Sequence, residues 1–439
     1  MNLAQEVISK INARSAVVGV IGLGYAGLPL LCTFAEAGFR SIGFDIDAAK
    51  IEQLRGGRSY IGHISSERLS RLVAAGKLEA STDFDLLRQC DAAIICVPTP
   101  LGEGRSPDLR FVVDTANEIA KRLHRGQLVV LESTTYPGTT DEVVLPILNE
   151  SGLQAGIDFF LAFSPEREDP ANTEYDTRSI PKLIGGLTED CRAVAARAYG
   201  QIVEQVVPVS SPRVAEAAKL LENIYRCVNI ALINELKLLF ERMGIDVWEV
   251  VTAAATKPFG FTPFYPGPGL GGHCIPIDPF YLSWKARQYE FPAHFIELAG
   301  EINLAMPGHV VRRVSESLNL MGVPLRDADI LLLGVAYKRD IDDVRESPAL
   351  AIIRLLEQQL ARVRYHDPYV PRLRSRHLYR EMRSVELTAK AIAAASAVVV
   401  VTDHSAIDYR FVLDHAKLTI DTRNATAPCR RAEDRVVLA

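Results

Sequence analysis

Val17-Val18-Gly19-Val20-Ile21-Gly22-Leu23-Gly24-Tyr25-Ala26-Gly27-Leu28-Pro29 is the stretch that decides the fold. Four β-branched residues around Gly19 read as a buried strand, the glycines follow the spacing G-x-G-x-x-G, and a helical pattern opens at once with Leu28. Gly22 permits a tight turn, Gly24 lets the backbone approach a pyrophosphate, and Gly27 lets helix and strand pack closely. Free N–H groups of the helix start at Tyr25, Ala26 and Gly27 favour an anion there. Asp45 ends the next strand, 18 residues past Gly27, where it can accept hydrogen bonds from an adenosine ribose. Its charge would repel a 2′-phosphate, and neither Ile46 nor Asp47 supplies a cation, so NAD is expected over NADP. A glycine-rich turn with no ligand is the bland alternative.

Outward from this turn, short apolar runs alternate with helical patterns, as in a parallel sheet with crossover helices. Arg40–Phe44, Ala92–Val97 and Leu128–Leu131 read as strands, with helices over Leu28–Ala37 and Phe111–Leu123; Leu183–Gly185 and Val203–Val209 suggest further strands. Thr99, in Val97-Pro98-Thr99-Pro100, and Thr134, in Glu132-Ser133-Thr134-Thr135-Tyr136-Pro137-Gly138, follow strand ends where open α/β sheets bind ligands. Each hydroxyl could touch a nicotinamide ribose or order a water; the alternative is local turn capping.

From Pro212 the character changes. Val214 to Met243 keeps helical periodicity without Gly or Pro, and its apolar positions cover more than one face, which predicts burial between domains or subunits. A Gly/Pro-rich loop, Lys257 to Pro279, precedes more helix through Ala305. The βαβ pattern returns with Ile330–Leu333, a helix over Pro348–Gln359, a strand over Arg362–Tyr365 and another over Ala397–Val401. The expected fold class is α/β, with two Rossmann-like parallel-sheet domains joined by a long central helix. The boundaries are 1–211, 212–305 and 306–439.

The chain has 439 residues, 48% hydrophobic and 23% charged, with a net charge of −5, which argues against an extended basic surface for nucleic acid. No run of about 18 uncharged apolar residues exists to cross a membrane. Met1 to Arg14 carries Glu6 and Lys10 and reads as a short amphipathic helix, not a signal peptide. Seven cysteines without paired spacing favour a reducing compartment, and a cytoplasmic protein is expected.

The segment Pro266-Gly267-Pro268-Gly269-Leu270-Gly271-Gly272-His273-Cys274-Ile275-Pro276-Ile277-Asp278-Pro279 carries the chemistry. Four glycines ahead of a cysteine mean close backbone approach, either to a ligand or to another chain segment. A lone Cys is more often core than nucleophile; this loop reverses the balance for Cys274. His273 invites a metal reading, but no second ligand pair has zinc spacing, so no metal is expected. Cys32, Cys90, Cys96, Cys191, Cys227 and Cys429 read as inert.

The runs G-L-G-Y-A-G, V-P-T-P, E-S-T-T-Y-P-G, S-P-E, K-L-L-E-N, G-G-H-C-I-P-I-D and G-V-A-Y-K followed by R-E-S-P occur in the order seen in the UDP-glucose/GDP-mannose dehydrogenase family. The resemblance covers Val17 to Asn424. Within the family, Ser164–Pro170 and Thr256–Pro263 look most like UDP-N-acetylglucosamine 6-dehydrogenases of bacterial surface-polysaccharide pathways. The resemblance implies NAD-dependent four-electron oxidation of a sugar alcohol to a carboxylate. Cys274 would capture the intermediate aldehyde as a thiohemiacetal, which becomes a thioester that water hydrolyses.

The same resemblance implies the other roles. Lys219 and Asn223 would stabilise the oxyanion, although a Lys and an Asn on such a helix could also face solvent. Asp278 would orient a base or water, and Glu166 would serve thioester hydrolysis with Thr134 holding the water. Arg167, Tyr265, Gly271 and Lys338 would meet the sugar nucleotide, Arg423 its uridine diphosphate, and Arg345 the cofactor pyrophosphate. For Lys338 and Arg345 the alternative is a surface salt bridge with Asp342 or Asp343. The long helix would form a homodimer interface. Two departures favour a sugar other than glucose: Ile277 stands where many UDP-glucose enzymes carry Lys, and Glu168 follows Glu166 by two residues instead of the E-x-x-x-E spacing. The competing substrates are UDP-N-acetylgalactosamine, UDP-N-acetylmannosamine and UDP-glucose. A hydroxyacid dehydrogenase leaves Cys274 unexplained, and a non-catalytic nucleotide sensor has no use for a nucleophile.

Overall fold

The computed structural model describes residues 2–62, 64–167, 176–272, 274–375 and 377–439. By compactness the chain forms two units, Met1–Glu222 with Trp284–Phe291, and Asn223–Ser283 with Pro292–Ala439. The segment 212–305, expected as a middle domain, is divided between them.

The first unit holds an eight-stranded sheet: β1 (Val17–Ile21), β2 (Arg40–Phe44), β3 (Leu78–Ser81), β4 (Ala92–Ile95), β5 (Leu128–Leu131), β6 (Phe160–Phe163), β7 (Lys182–Gly186) and β8 (Val206–Val209), in spatial order β3-β2-β1-β4-β5-β6-β7-β8. Strands β1 to β6 run parallel, and β4 and β5 are buried on both faces because crossover helices cover the sheet on each side. Val18, Val20, Ile94 and Val130 join one core cluster while Ile21, Ile95, Val129 and Leu131 join another, the period-two alternation of a doubly covered sheet. Burying each such side chain contributes about 1.5–3 kcal/mol. The sheet departs from the expected all-parallel reading at one place: β7 runs antiparallel to β6. Asn2 caps the first helix, Leu3–Asn12, which buries Ala4, Val7 and Ile11.

The second unit carries a parallel five-stranded sheet, with β9 (Asp329–Leu333), β10 (Arg362–His366), β13 (Ala397–Val400), β14 (Thr419–Asp421) and β15 (Val436–Leu438) in order β10-β9-β13-β14-β15. A small ladder pairs β11 (Arg372–Leu373) with β12 (Met382–Arg383). The two sheets share one device. Asp45 after β2 accepts the Leu23 N–H of the turn after β1, and Asp367 after β10 accepts the Val335 and Ala336 N–H groups of the turn after β9.

The helix expected to end at Ala305 runs from His294 to Leu320, with Pro307 inside it. Losing one backbone bond at a proline costs about 3 kcal/mol. Burial of Met306, Val310, Val311, Val314 and Leu318 on the same helix offsets that loss.

Candidate active site

In the first unit the glycine turn divides its labour. Gly22 has φ +92° and donates its N–H to Phe44 O at 2.8 Å, and a Cβ there would lie 2.5 Å from Cys96 O. A Cβ on Gly27 would lie 1.9 Å from Gly22 O, whereas one on Gly24 would meet nothing within 4 Å. Gly22 and Gly27 are therefore required by packing, and the space over Gly24 is open to a ligand. Tyr25 is exposed, and Ala26 caps the helix that Gly27 opens. These residues fit a dinucleotide pyrophosphate.

Asp45 is buried, accepting from Leu23 N and Asp47 N at 3.0 Å each. Neither Ile46 nor Asp47 supplies a cation, but Lys50 Nζ lies 3.2 Å from Asp45 Oδ2. Lys50 comes from the following helix, Ala48–Arg55, one turn beyond Ile46 and Asp47.

The other strand-end residues of this unit also have defined partners. Thr99 donates its hydroxyl to Thr134 O at 2.8 Å, and Thr134 is half-buried. Arg167 bridges Glu222 of the long helix (Pro212–Met243) at 2.7 Å and donates to Pro181 O at 2.7 Å. Lys219 is buried on that helix. A residue not singled out in the sequence sits one turn earlier: the fully buried Glu216 accepts Gly138 N (2.7 Å), Thr140 N (3.0 Å) and Thr140 Oγ1 (2.7 Å). It fastens the loop that carries Thr134 to the helix that carries Lys219. An acid in a largely apolar helix was its only sequence signal.

In the second unit Cys274 is the one exposed thiol of the seven cysteines, none of which is in a disulfide. Burial pushes Cys32 and Cys227 up to about 11 and Cys90 up to about 12, which keeps those thiols protonated. The Cys274 carbonyl accepts Ile277 N (3.1 Å) and Asp278 N (2.8 Å), so the cysteine sits in the turn that opens the helix Asp278–Arg287. Asp278 is buried and accepts the Asn223 side-chain amide at 2.7 Å.

The glycines ahead of Cys274 serve another chain segment. A Cβ on Gly271 would lie 2.5 Å from Tyr337 Cβ, and one on Gly272 would lie 2.9 Å from the Tyr337 ring. Gly272 N donates to Arg345 O at 2.9 Å. The Arg345 guanidinium itself forks onto Asp343 at 2.6–3.0 Å, the ion pair weighed as its alternative role. Lys338 is half-buried after β9. Arg423 donates from Nε to Val401 O at 3.1 Å and lies against Gly267, while Tyr265 stacks on Trp248. His273 and Glu168 lie outside the described residues. Among the described residues no His, Cys, Asp and Glu cluster could hold a metal ion, and no helix is long and apolar enough to cross a membrane.

A dinucleotide turn with its acid fits the class of a nicotinamide-dependent oxidoreductase, and the chain also carries an exposed cysteine in a turn next to a buried Asp–Asn pair. The chain belongs to the UDP-glucose/GDP-mannose dehydrogenase family, matching its NAD binding domain over residues 16–203, its central domain over 213–305 and its UDP binding domain over 331–428. NAD is thus the cofactor, and the chain is an oxidoreductase of nucleotide sugars. The UDP-N-acetyl-D-glucosamine 6-dehydrogenase of Pseudomonas aeruginosa is 37% identical, over 82% of this chain and 85% of that protein. An NDP-N-acetyl-D-galactosaminuronic acid dehydrogenase of Ralstonia nicotianae is 34% identical, over 88% and 90%. The solved structure of a UDP-D-ManNAc dehydrogenase from Pyrococcus horikoshii superposes with a TM-score of 0.87 at 33% identity, covering 96% of this chain and 98% of that one.

Proposed function

We propose that this chain oxidises the C6 alcohol of a UDP-N-acetylhexosamine to the carboxylate, with UDP-N-acetylglucosamine as the sugar. The observation that carries the reading is the exposed Cys274 in a turn whose next helix opens with the buried, Asn223-bonded Asp278. Gly22, Gly24, Tyr25, Ala26, Gly27 and Asp45 hold the NAD, with Thr99, Thr134 and Arg345 as further contacts. NAD supplies the acceptor for the hydride lost in each of two oxidations.

Cys274 adds its thiolate to the aldehyde left by the first oxidation, which keeps that aldehyde from escaping. The second oxidation leaves an acyl group on sulfur. Lys219 and Asn223, one helical turn apart, stabilise oxyanion charge, worth about 3–4 kcal/mol for a well-placed donor. Asp278 fixes the Asn223 amide. Glu166, with Thr134, activates the water that releases the carboxylate product. Arg167, Tyr265, Gly271, Lys338 and Arg423 hold the sugar nucleotide.

A second copy of this chain is the partner we infer. Leu221, Tyr225, Leu232, Leu239 and Met243 form an exposed apolar stripe along the long helix, larger than single scattered residues on a monomer surface. Seven cysteines that form no disulfide support a cytoplasmic setting, and the product suits surface-polysaccharide precursors.

The test is kcat/KM over UDP-GlcNAc, UDP-GalNAc, UDP-ManNAc and UDP-glucose. Preference for UDP-GlcNAc is expected; preference for another N-acetylhexosamine would keep the chemistry and replace the sugar.

A further inference from the structure

The β6–β7 ladder pairs Ala162 with Gly186 and Phe163 with Gly185. Carried three residues further, that antiparallel register sets Glu166 opposite Lys182, the first residue of β7. Lys182 Nζ lies 3.8 Å from Glu166 Oε2 and 2.9 Å from Glu132 Oε2. Glu132 follows β5, the parallel neighbour of β6, so the reversed strand delivers a cation to the carboxyl edge of the sheet. The Lys182 side chain is 7% exposed, Glu132 1% and Glu166 19%: one ammonium stands between a deep and a shallow carboxylate. The Tyr199 hydroxyl donates to the other oxygen of Glu132. Burial works against the charge on Lys182, but Glu132 and Glu166 outweigh it and hold the ammonium above its ordinary range.

We infer that Lys182 is a positioning residue for Glu166, holding its carboxylate in place for the water that cleaves the Cys274 thioester. The inference rests on the reading of Glu166 as the hydrolytic carboxylate. In that step water gives a proton to Glu166, its oxygen bonds to the acyl carbon, and the carbon–sulfur bond breaks with its electron pair passing to the Cys274 sulfur. No oxidant or reductant is consumed. Without Lys182 two neighbouring carboxylates would face each other in a poorly solvated site, and a proton would be retained between them at neutral pH.

The experiment compares Lys182→Gln and Lys182→Arg in the whole enzyme with NAD and whichever UDP-N-acetylhexosamine the parent turns over best. NADH is followed by rapid mixing, and the quenched protein is weighed for an acyl adduct on Cys274. For Lys182→Gln we expect an undiminished NADH burst, then a steady rate at least roughly tenfold slower, with acyl-enzyme accumulating and the rate recovering as pH rises. Lys182→Arg keeps the charge and should hydrolyse with the parent's acid limb. Burst and steady rate falling together in Lys182→Gln, or neither changing, would overturn the inference, because a purely structural lysine gives the first and an idle one the second. If Lys182→Gln does not fold, the acid limb of Lys182→Arg decides: at the parent's pH it supports the inference, and displaced it overturns it. Glu166→Gln separates the two readings. If that variant accumulates no acyl-enzyme, Glu166 is not the hydrolytic carboxylate; if it does and Lys182→Gln does not, only the role of Lys182 falls.

Discussion

The Asn223 side-chain amide donates to the Asp278 carboxylate over 2.7 Å, joining the long helix to the turn that carries Cys274. Both groups are buried, so the bond fixes which way the amide points. Asp278→Asn would remove the charged acceptor and let the Asn223 amide turn. We expect kcat to fall about 10²-fold with KM for the nucleotide sugar little changed, as for loss of a transition-state donor. Steady-state kinetics check it, and an unchanged kcat would remove Asp278 from the mechanism.

Gly271→Ala places a methyl group 2.5 Å from Tyr337 Cβ and 3.1 Å from Pro348 Cδ. Overpacking of this kind costs about 1–3 kcal/mol. Thermal melts should show the loss, and kcat should fall with it because the same loop leads into Cys274.

Lys50 beside Asp45 softens the repulsion that Asp45 alone would direct at a 2′-phosphate. Lys50→Ala should lower kcat/KM for NADP about 3–10-fold more than for NAD, given one charge pair at a partly exposed position. Equal losses for the two cofactors would show that Lys50 has no part in the choice.

These three cases also mark what was legible in the sequence. The turn Gly22–Gly27, Asp45 and the Cys274 loop could be read because their signals are local: spacing, strand ends and glycine density. Lys50 was passed over because a side chain from the next helix reaches back to Asp45. The four glycines could not be assigned to ligand or chain, since Tyr337 arrives from more than 60 residues away. β7 read as a strand but not its direction, which depends on the path of a connection without a regular pattern. Its consequence, Lys182 at Glu166, was equally hidden. The helix read through Ala305 continues to Leu320 because the apolar face that carries it past Pro307 counts only once packed.

His309 supplies a pH signature. Burial first, then Lys237, Arg312 and Arg313, push its imidazole down from 6.5 to about 3. Below pH 6.5 the unfolded chain takes up a proton that folded His309 refuses until about pH 3, so stability is lost as pH falls through that window. Urea melts at pH ~7.5 and ~5 should differ by about 2 kcal/mol from this group. His309→Gln should flatten that difference; an unaltered slope would mean His309 titrates normally in the fold.

Four-electron oxidation through Cys274 is checked most directly by counting NADH formed per UDP-N-acetylglucosamine consumed. Two NADH for each sugar, with the C6 carboxylate as product, is the expected result. One NADH for each sugar, with free aldehyde released, would contradict it.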